Sequence, residues 1–234
     1  MEKIKVRGLV LREYEAGESD KRLLIFCKEH GRILVYARGA RKSTSKFMSV
    51  AQIFTYADFV LVKGVGFYSL AQAEIIENFY HLREDYDRLM AAYRISEICQ
   101  KTLWDNIESD DLLRLVLRSL MLLSKGEISP LQITIVFCFR FFDVHGLCPQ
   151  VDTCTVCDAP ITTVAKIAMC AEGVVCMQHR PPAYVAITHT GVHVAKHILE
   201  SEMHTAFRFS VGDNVLLELE RVVDMLWRVH FDGS

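Results

Sequence analysis

Two short hooks of metal-ligating residues, Cys154-x2-Cys157 and Cys176-x2-His179, constrain this 234-residue chain more than any other feature. A thiolate or imidazole pair two residues apart grips one face of a small cation from a tight turn. A second pair closes the tetrahedron from the far end of the intervening loop. The protein supplies all four ligands, so no position is left open for a substrate, and the ion, Zn²⁺ by ligand type, is expected to be structural. Cys170 lies between the hooks but fits the spacing of neither and is left out of the ligand set. A redox reading of Cys154-x2-Cys157 requires a thioredoxin-like βαβ setting, which is missing. A deaminase reading requires His-x-Glu upstream of Pro-Cys-x2-Cys, whereas this chain has Cys148-Pro149 in the reverse order.

Five of the eight cysteines crowd into residues 148–176, a clustering that suits metal in a reducing compartment better than disulfides. Lys3, Lys5 and Arg7 interrupt the first eleven residues, so these are not a signal peptide. The most apolar segments, Leu112–Leu123 and Ile133–Phe142, are broken by Arg114, Arg118 and Arg140 and are too short to span a bilayer. The expectation is a cytoplasmic protein with no membrane partner.

Charge is uneven along the chain. Residues 1–80 hold 13 Lys/Arg against 9 Asp/Glu, and the remainder holds 14 against 20. The basic front end reads as β: Val6–Tyr14, Arg22–Cys27, Arg32–Ala37, Ile53–Val62 and Phe67–Ile76 are short runs rich in branched and aromatic residues, with glycine-bearing turns between them. Five strands in about eighty residues fit a small antiparallel barrel of the oligonucleotide-binding (OB) type. The same count also fits an SH3-like barrel.

From Leu82 the period becomes helical, with Leu82, Tyr86, Leu89, Tyr93 and Glu97 on one stripe and Ile98 and Leu103 extending its apolar side. Ser109-Asp110-Asp111 is placed to cap a second helix running through Ser124, with Gly126 beyond its end, and Ser129-Pro130 opens a third to about His145. The third helix is apolar on nearly every side and is expected to run through the middle of its domain. Pro181-Pro182 breaks the chain, and helices over about Thr190–Glu200 and Asp213–Val229 follow. The fold class expected is α+β multidomain: an OB-like barrel over 1–80, a helical domain over 81–148 and 181–234, and a zinc-ribbon-like insert over 149–180.

Between two expected strands lies Arg38-Gly39-Ala40-Arg41-Lys42-Ser43-Thr44-Ser45-Lys46, a stretch with four cations and no acid, read as a flexible loop. Lys and Arg release counterions when they neutralise a phosphate backbone, and hydroxyls can donate to phosphate oxygens. Arg32, Arg38, Arg41, Lys42 and Lys46 are therefore the candidate DNA contacts. Phe47, Phe54, Tyr56, Phe67 and Tyr68 are available for base stacking, although core packing accounts for most of them. His189, His193 and His197 recur at i, i+4 and i+8 and are read as a polar helix face rather than a second metal site. No Ser/His/Asp spacing, P-loop or HExxH is present, so no enzyme mechanism is indicated.

Several of these segments together resemble the bacterial recombination-mediator and DNA-repair family RecO. They are Gly8-Leu9-Val10-Leu11, the Arg38–Lys42 loop, Arg140-Phe141-Phe142 followed by His145-Gly146-Leu147-Cys148-Pro149, and the Gly173-Val174-Val175-Cys176 turn. The family usually ends the second hook with cysteine, where this chain has His179. The resemblance implies a non-enzymatic protein of the bacterial nucleoid that binds single- and double-stranded DNA and anneals complementary strands. It also implies work with RecR to load RecA onto strands coated by single-strand-binding protein, whose acidic, apolar-ended C-terminal tail docks on the helical domain. Arg140, a cation on an apolar helix, is the candidate for the tail carboxylate, with an internal salt bridge or a snorkelling side chain as the competing reading. The alternative to the whole scheme is a protein-interaction scaffold whose barrel does not bind DNA.

Overall fold

The structure, a computed structural model, describes residues 2–104, 107–164, 166–176, 178–179 and 183–232. The chain forms two compact units, Met1–Gly126 and Glu127–Ser234.

In the first unit, β1 (Lys3–Ala16), β2 (Asp20–Cys27), β3 (Gly31–Ala37), β4 (Tyr56–Lys63) and β5 (Tyr68–Glu77) close into a barrel in the order β1-β2-β3-β5-β4. Strand β4 returns antiparallel to β1, and β3 meets β5 in parallel. This closure is OB-like. Alternation sets the faces: in β3, Ile33, Val35 and Ala37 are buried while Leu34 is exposed and Arg32 and Tyr36 are half-buried on the outer side. The barrel core gathers the inward residues of all five strands with Ala40, Phe47, Val50 and Ala51 from the β3–β4 connection.

A bulge between Val10 and Arg12 takes Leu11 out of the ladder with β2. The freed Leu11 carbonyl accepts from the Ser96 hydroxyl at 2.7 Å and from the Gln100 amide at 3.4 Å, which seats α1 (Tyr86–Thr102) on the barrel. Small residues make that approach possible, and the buried face of α1 is Ala91, Ala92, Ile95, Ser96, Ile98, Cys99 and Thr102. The stripe expected from periodicity is only partly met: Leu82, Ile98 and Leu103 are buried, but Tyr86 is 75% exposed and Tyr93 38% exposed. Leu82 belongs to a preceding 3₁₀ turn, Tyr80–Glu84, and Asp85 caps α1 by accepting from the Arg88 amide. Helix α2 (Asp110–Lys125) starts and stops as its sequence suggests, with Gly126 left-handed at its end. The Ser109 hydroxyl makes no cap, however, and donates instead to the Ile107 carbonyl. Gly31 is required where it stands: at φ +59°, a Cβ there would meet the Trp104 carbonyl at 2.2 Å and the Ile107 carbonyl at 2.8 Å, so only glycine lets the backbone of Trp104 and Ile107 approach the barrel this closely.

In the second unit, Ser129 caps α3 (Pro130–Val144) by accepting from the Gln132 amide, with Pro130 in the first turn. Ile133, Ile135, Val136, Phe137, Phe139, Phe141 and Phe142 are all buried, as an all-round apolar helix requires. Phe141 packs against Trp227 and Phe231 at ring separations of 5.9 and 5.8 Å. Truncating one such phenylalanine to alanine costs about 3–5 kcal/mol. Helices α4 (His189–Glu200) and α5 (Asp213–Trp227) pack on α3 and on each other. Three strands absent from the sequence reading, β6 (Ile167–Met169), β7 (Val174–Cys176) and β8 (Val185–Ile187), form a sheet ordered β7-β6-β8. The expected Pro181-Pro182 break lies outside the described residues. Among the described residues, no helix is long and apolar enough to cross a membrane.

Candidate metal centre and nucleic-acid interface

The first hook is a tight turn. The Cys154 amide donates to the Ala159 carbonyl and the Asp158 amide to the Cys154 carbonyl, both at 2.9 Å, with Asp158 at φ +57°. The Thr155 amide ties this turn to Val174 of β7 at 3.0 Å. The second hook leaves the end of β7, where the His179 amide donates to the Cys176 carbonyl at 2.9 Å. Gly173, at φ +148°, allows the two to approach, since a Cβ there would lie 2.4 Å from the Gln150 carbonyl.

These turns bring one ligand atom each from Cys154, Cys157, Cys176 and His179 to within 4.8 Å of one another. The Sγ atoms of Cys154 and Cys176, and of Cys157 and Cys176, are 3.9 Å apart. His179 Nδ1 lies 3.8 Å from Cys154 Sγ and 3.0 Å from Cys176 Sγ. A tetrahedron with metal–sulfur bonds of about 2.3 Å has edges of about 3.8 Å, so the cluster matches a four-coordinate metal site in both size and donor set.

The electrostatics also suit a cation. Burial alone would raise the Cys154 thiol, yet the amides of Cys176, Val156 and Cys157 hold it down to about 6. The Cys157 thiol lies above its ordinary value: the Ala159 amide pulls it down, and the adjoining thiols of Cys154 and Cys176 push it up by more. Four donors that crowd one another in this way gain from a shared positive charge. Cys170 is buried in the same small core, and its thiol donates to the Gly173 carbonyl at 3.1 Å. The three histidines diverge: His189 bonds the Val164 carbonyl, His193 is exposed, and His197 packs against Phe209.

The basic segment after β3 is a succession of turns seated on the barrel rather than a free loop. Ala40, Lys42, Ser45 and Met48 each donate an amide to a carbonyl three residues earlier. The Arg41 amide reaches the Ser19 carbonyl at 2.9 Å, and the Gly39 amide reaches Asp20 Oδ1 at 2.7 Å. Ala40 and Phe47 plug into the core, a pattern that a composition rich in Ser, Thr and Lys conceals. Arg38, Arg41, Lys42 and Lys46 nevertheless stay exposed. Arg41 Nη1 sits 3.2 Å from Glu15, itself 73% exposed, and Lys46 lies over the Phe47 ring. Among the described residues, Arg38 and Lys42 make no ion pair. Arg32 stands at the opposite end of β3, where its Nη1 donates to the Gln100 carbonyl near the end of α1.

Of the five candidate stacking rings, Phe47 and Phe54 are buried, Tyr56 and Tyr68 are half-buried, and Phe67 is 47% exposed. Tyr36, absent from that set, stands beside Phe67 with ring centroids 6.3 Å apart. The alternation Arg32, Leu34, Tyr36, Arg38 along one strand face was the available signal.

Arg140 is 12% exposed and occupied internally. Its Nη1 donates to the Leu199 carbonyl at 2.9 Å and lies 3.2 Å from Asp143, and its Nη2 reaches the Ser201 carbonyl. The guanidinium thus caps the C-terminal end of α4, where unpaired carbonyls concentrate negative charge.

The family model described as "Recombination protein O N terminal" matches residues 1–79, and that described as "Recombination protein O C terminal" matches residues 83–234. Among similar proteins, the DNA repair protein RecO of Acetivibrio thermocellus is 33% identical over 224 residues, covering 95% of this chain and 89% of its own. The DNA repair protein RecO of Alkaliphilus metalliredigens is 32% identical over 231 residues, covering 98% and 94% respectively. That of Halalkalibacterium halodurans is 31% identical over 185 residues, covering 77% and 71%. With both halves matched and an OB-like barrel leading into helices and a Cys₃His cluster, this chain belongs to the RecO family of DNA repair and recombination proteins.

Proposed function

We propose that this protein is a non-enzymatic recombination mediator. It binds single- and double-stranded DNA, anneals complementary strands, and acts in the bacterial cytoplasm and nucleoid with RecR to load RecA onto strands coated by single-strand-binding protein. Working parts follow the expected division into barrel (1–80), helices (81–148 and 181–234) and metal insert (149–180). The observation that carries this reading is the exposed cation cluster Arg38, Arg41, Lys42 and Lys46 on the rim of an OB-like barrel in a RecO-family chain. Annealing requires attraction to the backbone that leaves base edges free to pair, and exposed ammonium and guanidinium groups supply it without reading sequence. Arg32 would add a contact only where a strand runs the length of β3.

In this reading the metal is Zn²⁺, held by Cys154, Cys157, Cys176 and His179, and it stiffens residues 149–180 without touching DNA. The acidic tail of single-strand-binding protein is assigned to the helical domain with Arg140 as its candidate partner, which requires the guanidinium to exchange one internal acceptor for a carboxylate.

Strand annealing by the purified protein, with and without single-strand-binding protein, tests the proposal together with titration of labelled single-stranded DNA at two salt concentrations. Binding that weakens steeply with salt, together with annealing, is expected. Absence of binding at low salt would leave the protein-scaffold reading, which the Arg41–Glu15 pair favours.

A further inference from the structure

Among the described residues, two surface grooves on the barrel can be compared. The larger, of about 940 Å³, runs across β1, β4, β5 and the start of α2, and its lining mixes both signs, with Glu29 and Glu74 beside Lys5 and two ion pairs across it. Arg7 makes a two-pronged contact with Asp58 at 2.7 and 2.8 Å, and Lys28 lies 3.3 Å from Asp110. The smaller, of about 650 Å³, is lined by Asp20, Arg22, Leu34, Tyr36, Arg38 and Phe67. Its chemistry is different.

Tyr36 and Arg22 are direct cross-strand partners of β3 and β2, and Leu34 lies two residues along on the same face. Phe67, just before β5, stands edge-on to Tyr36. Leu34 and Phe67 are 41% and 47% exposed, so a stripe of ring and branched aliphatic surface faces solvent. Among the described residues, Arg22 and Arg38 make no direct ion pair, although the Arg38 charge is near enough to Asp20 to help hold its carboxyl down. The single acid, Asp20, is engaged: it accepts from the Tyr36 hydroxyl at 2.6 Å and from the Gly39 amide at 2.7 Å. Its carboxyl is held below the usual range by the Gly39 amide and then by that hydroxyl. Apolar faces open to water and flanked by unpaired cations complement a polyanion whose flat, apolar groups are also exposed, and an unpaired nucleic-acid strand is that ligand.

We propose that Tyr36, Phe67 and Leu34, flanked by Arg22 and Arg38, form a base-stacking subsite for unpaired strands. It rests on the DNA-binding reading above and deepens it. The rim cations hold phosphates of any strand, while this groove takes bases that a duplex keeps inside its stack. The subsite therefore favours single strands over duplex, without base identity being read.

The test compares the binding of the full protein to an oligothymidine and to an abasic strand of equal length and charge, both dye-labelled. Phe67→Ala, at a half-exposed position, is expected to weaken oligothymidine binding about tenfold, one stacked base's worth, and abasic binding less than twofold. Phe67→Trp is expected to restore the oligothymidine affinity. Equal loss on both strands, or no loss on either, overturns the subsite while leaving DNA binding intact. A wild type that binds neither strand overturns the DNA-binding reading and the subsite with it.

Discussion

The metal cluster and the barrel rim are both groups of side chains gathered by turns, but they use their chemistry in opposite ways. At the cluster every donor points inward: three thiols and an imidazole lie within 4.8 Å of one another, and the main chain around them donates into Cys154. At the rim successive turns bond the amides of Gly39, Ala40, Arg41, Lys42, Ser45 and Met48, while the side chains of Arg38, Arg41, Lys42 and Lys46 stay exposed. The first arrangement lowers the energy of the fold. The second leaves hydrogen-bonding capacity for something else, at the expense of mutual repulsion among like charges.

The contrast breaks most decisively at the cluster. Cys154→Ser or Cys176→Ser is expected to abolish stoichiometric metal and to lower soluble yield sharply, because metal-binding free energy at structural sites, on the order of 10 kcal/mol, is folding free energy. Metal content by elemental analysis together with thermal melting decides it, and full content with unchanged melting would remove these residues from the ligand set. At the rim the opposite holds: Arg41→Glu with Lys42→Glu should leave melting within a few degrees of wild type yet weaken binding to all DNA sequences alike. The log–log salt slope should become shallower by about 1.4 if each cation meets one phosphate of a single strand. A loss confined to some sequences would mean that bases are read there. Arg140 tests the middle ground. Since its amino groups cap α4, Arg140→Ala is expected to destabilise the protein by about 1–3 kcal/mol. Tail-peptide affinity that falls tenfold with unchanged melting would instead place Arg140 on the partner surface.

The sequence made the two ends of this contrast legible to different degrees. Strand positions in the barrel came from short runs of branched and aromatic residues bounded by glycine-bearing turns and agree with the structure to within a few residues, as Gly31–Ala37 against the expected Arg32–Ala37 illustrates. Helix α3 announced itself because it is apolar all round, and α2 because an αL glycine follows it. Helix α1 misled in part, since its buried face sets Ala91, Ala92, Ser96 and Cys99 around Ile95 and Ile98, and those small side chains carry little hydrophobic signal yet permit close approach to β1. Strands β6 to β8 are three residues each, too short for a period to show. The four residues of the cluster were legible because two hooks of metal-ligand types at that spacing predict that their donor atoms meet, as they do here. The groove at Tyr36 was not, because Phe67 reaches it from the residue just before β5, a proximity set by the β3–β5 closure.

Asp20, at the start of β2 beside the end of β3, stands at a junction of the groove and the cationic turns. One of its oxygens steadies the Tyr36 ring and the other anchors the amide of Gly39, from which the cationic turns depart. A substitution survey scored by strand affinity would therefore rank an acid, which itself repels phosphate, among the residues that matter, and its loss would register in ring contacts and backbone contacts at once.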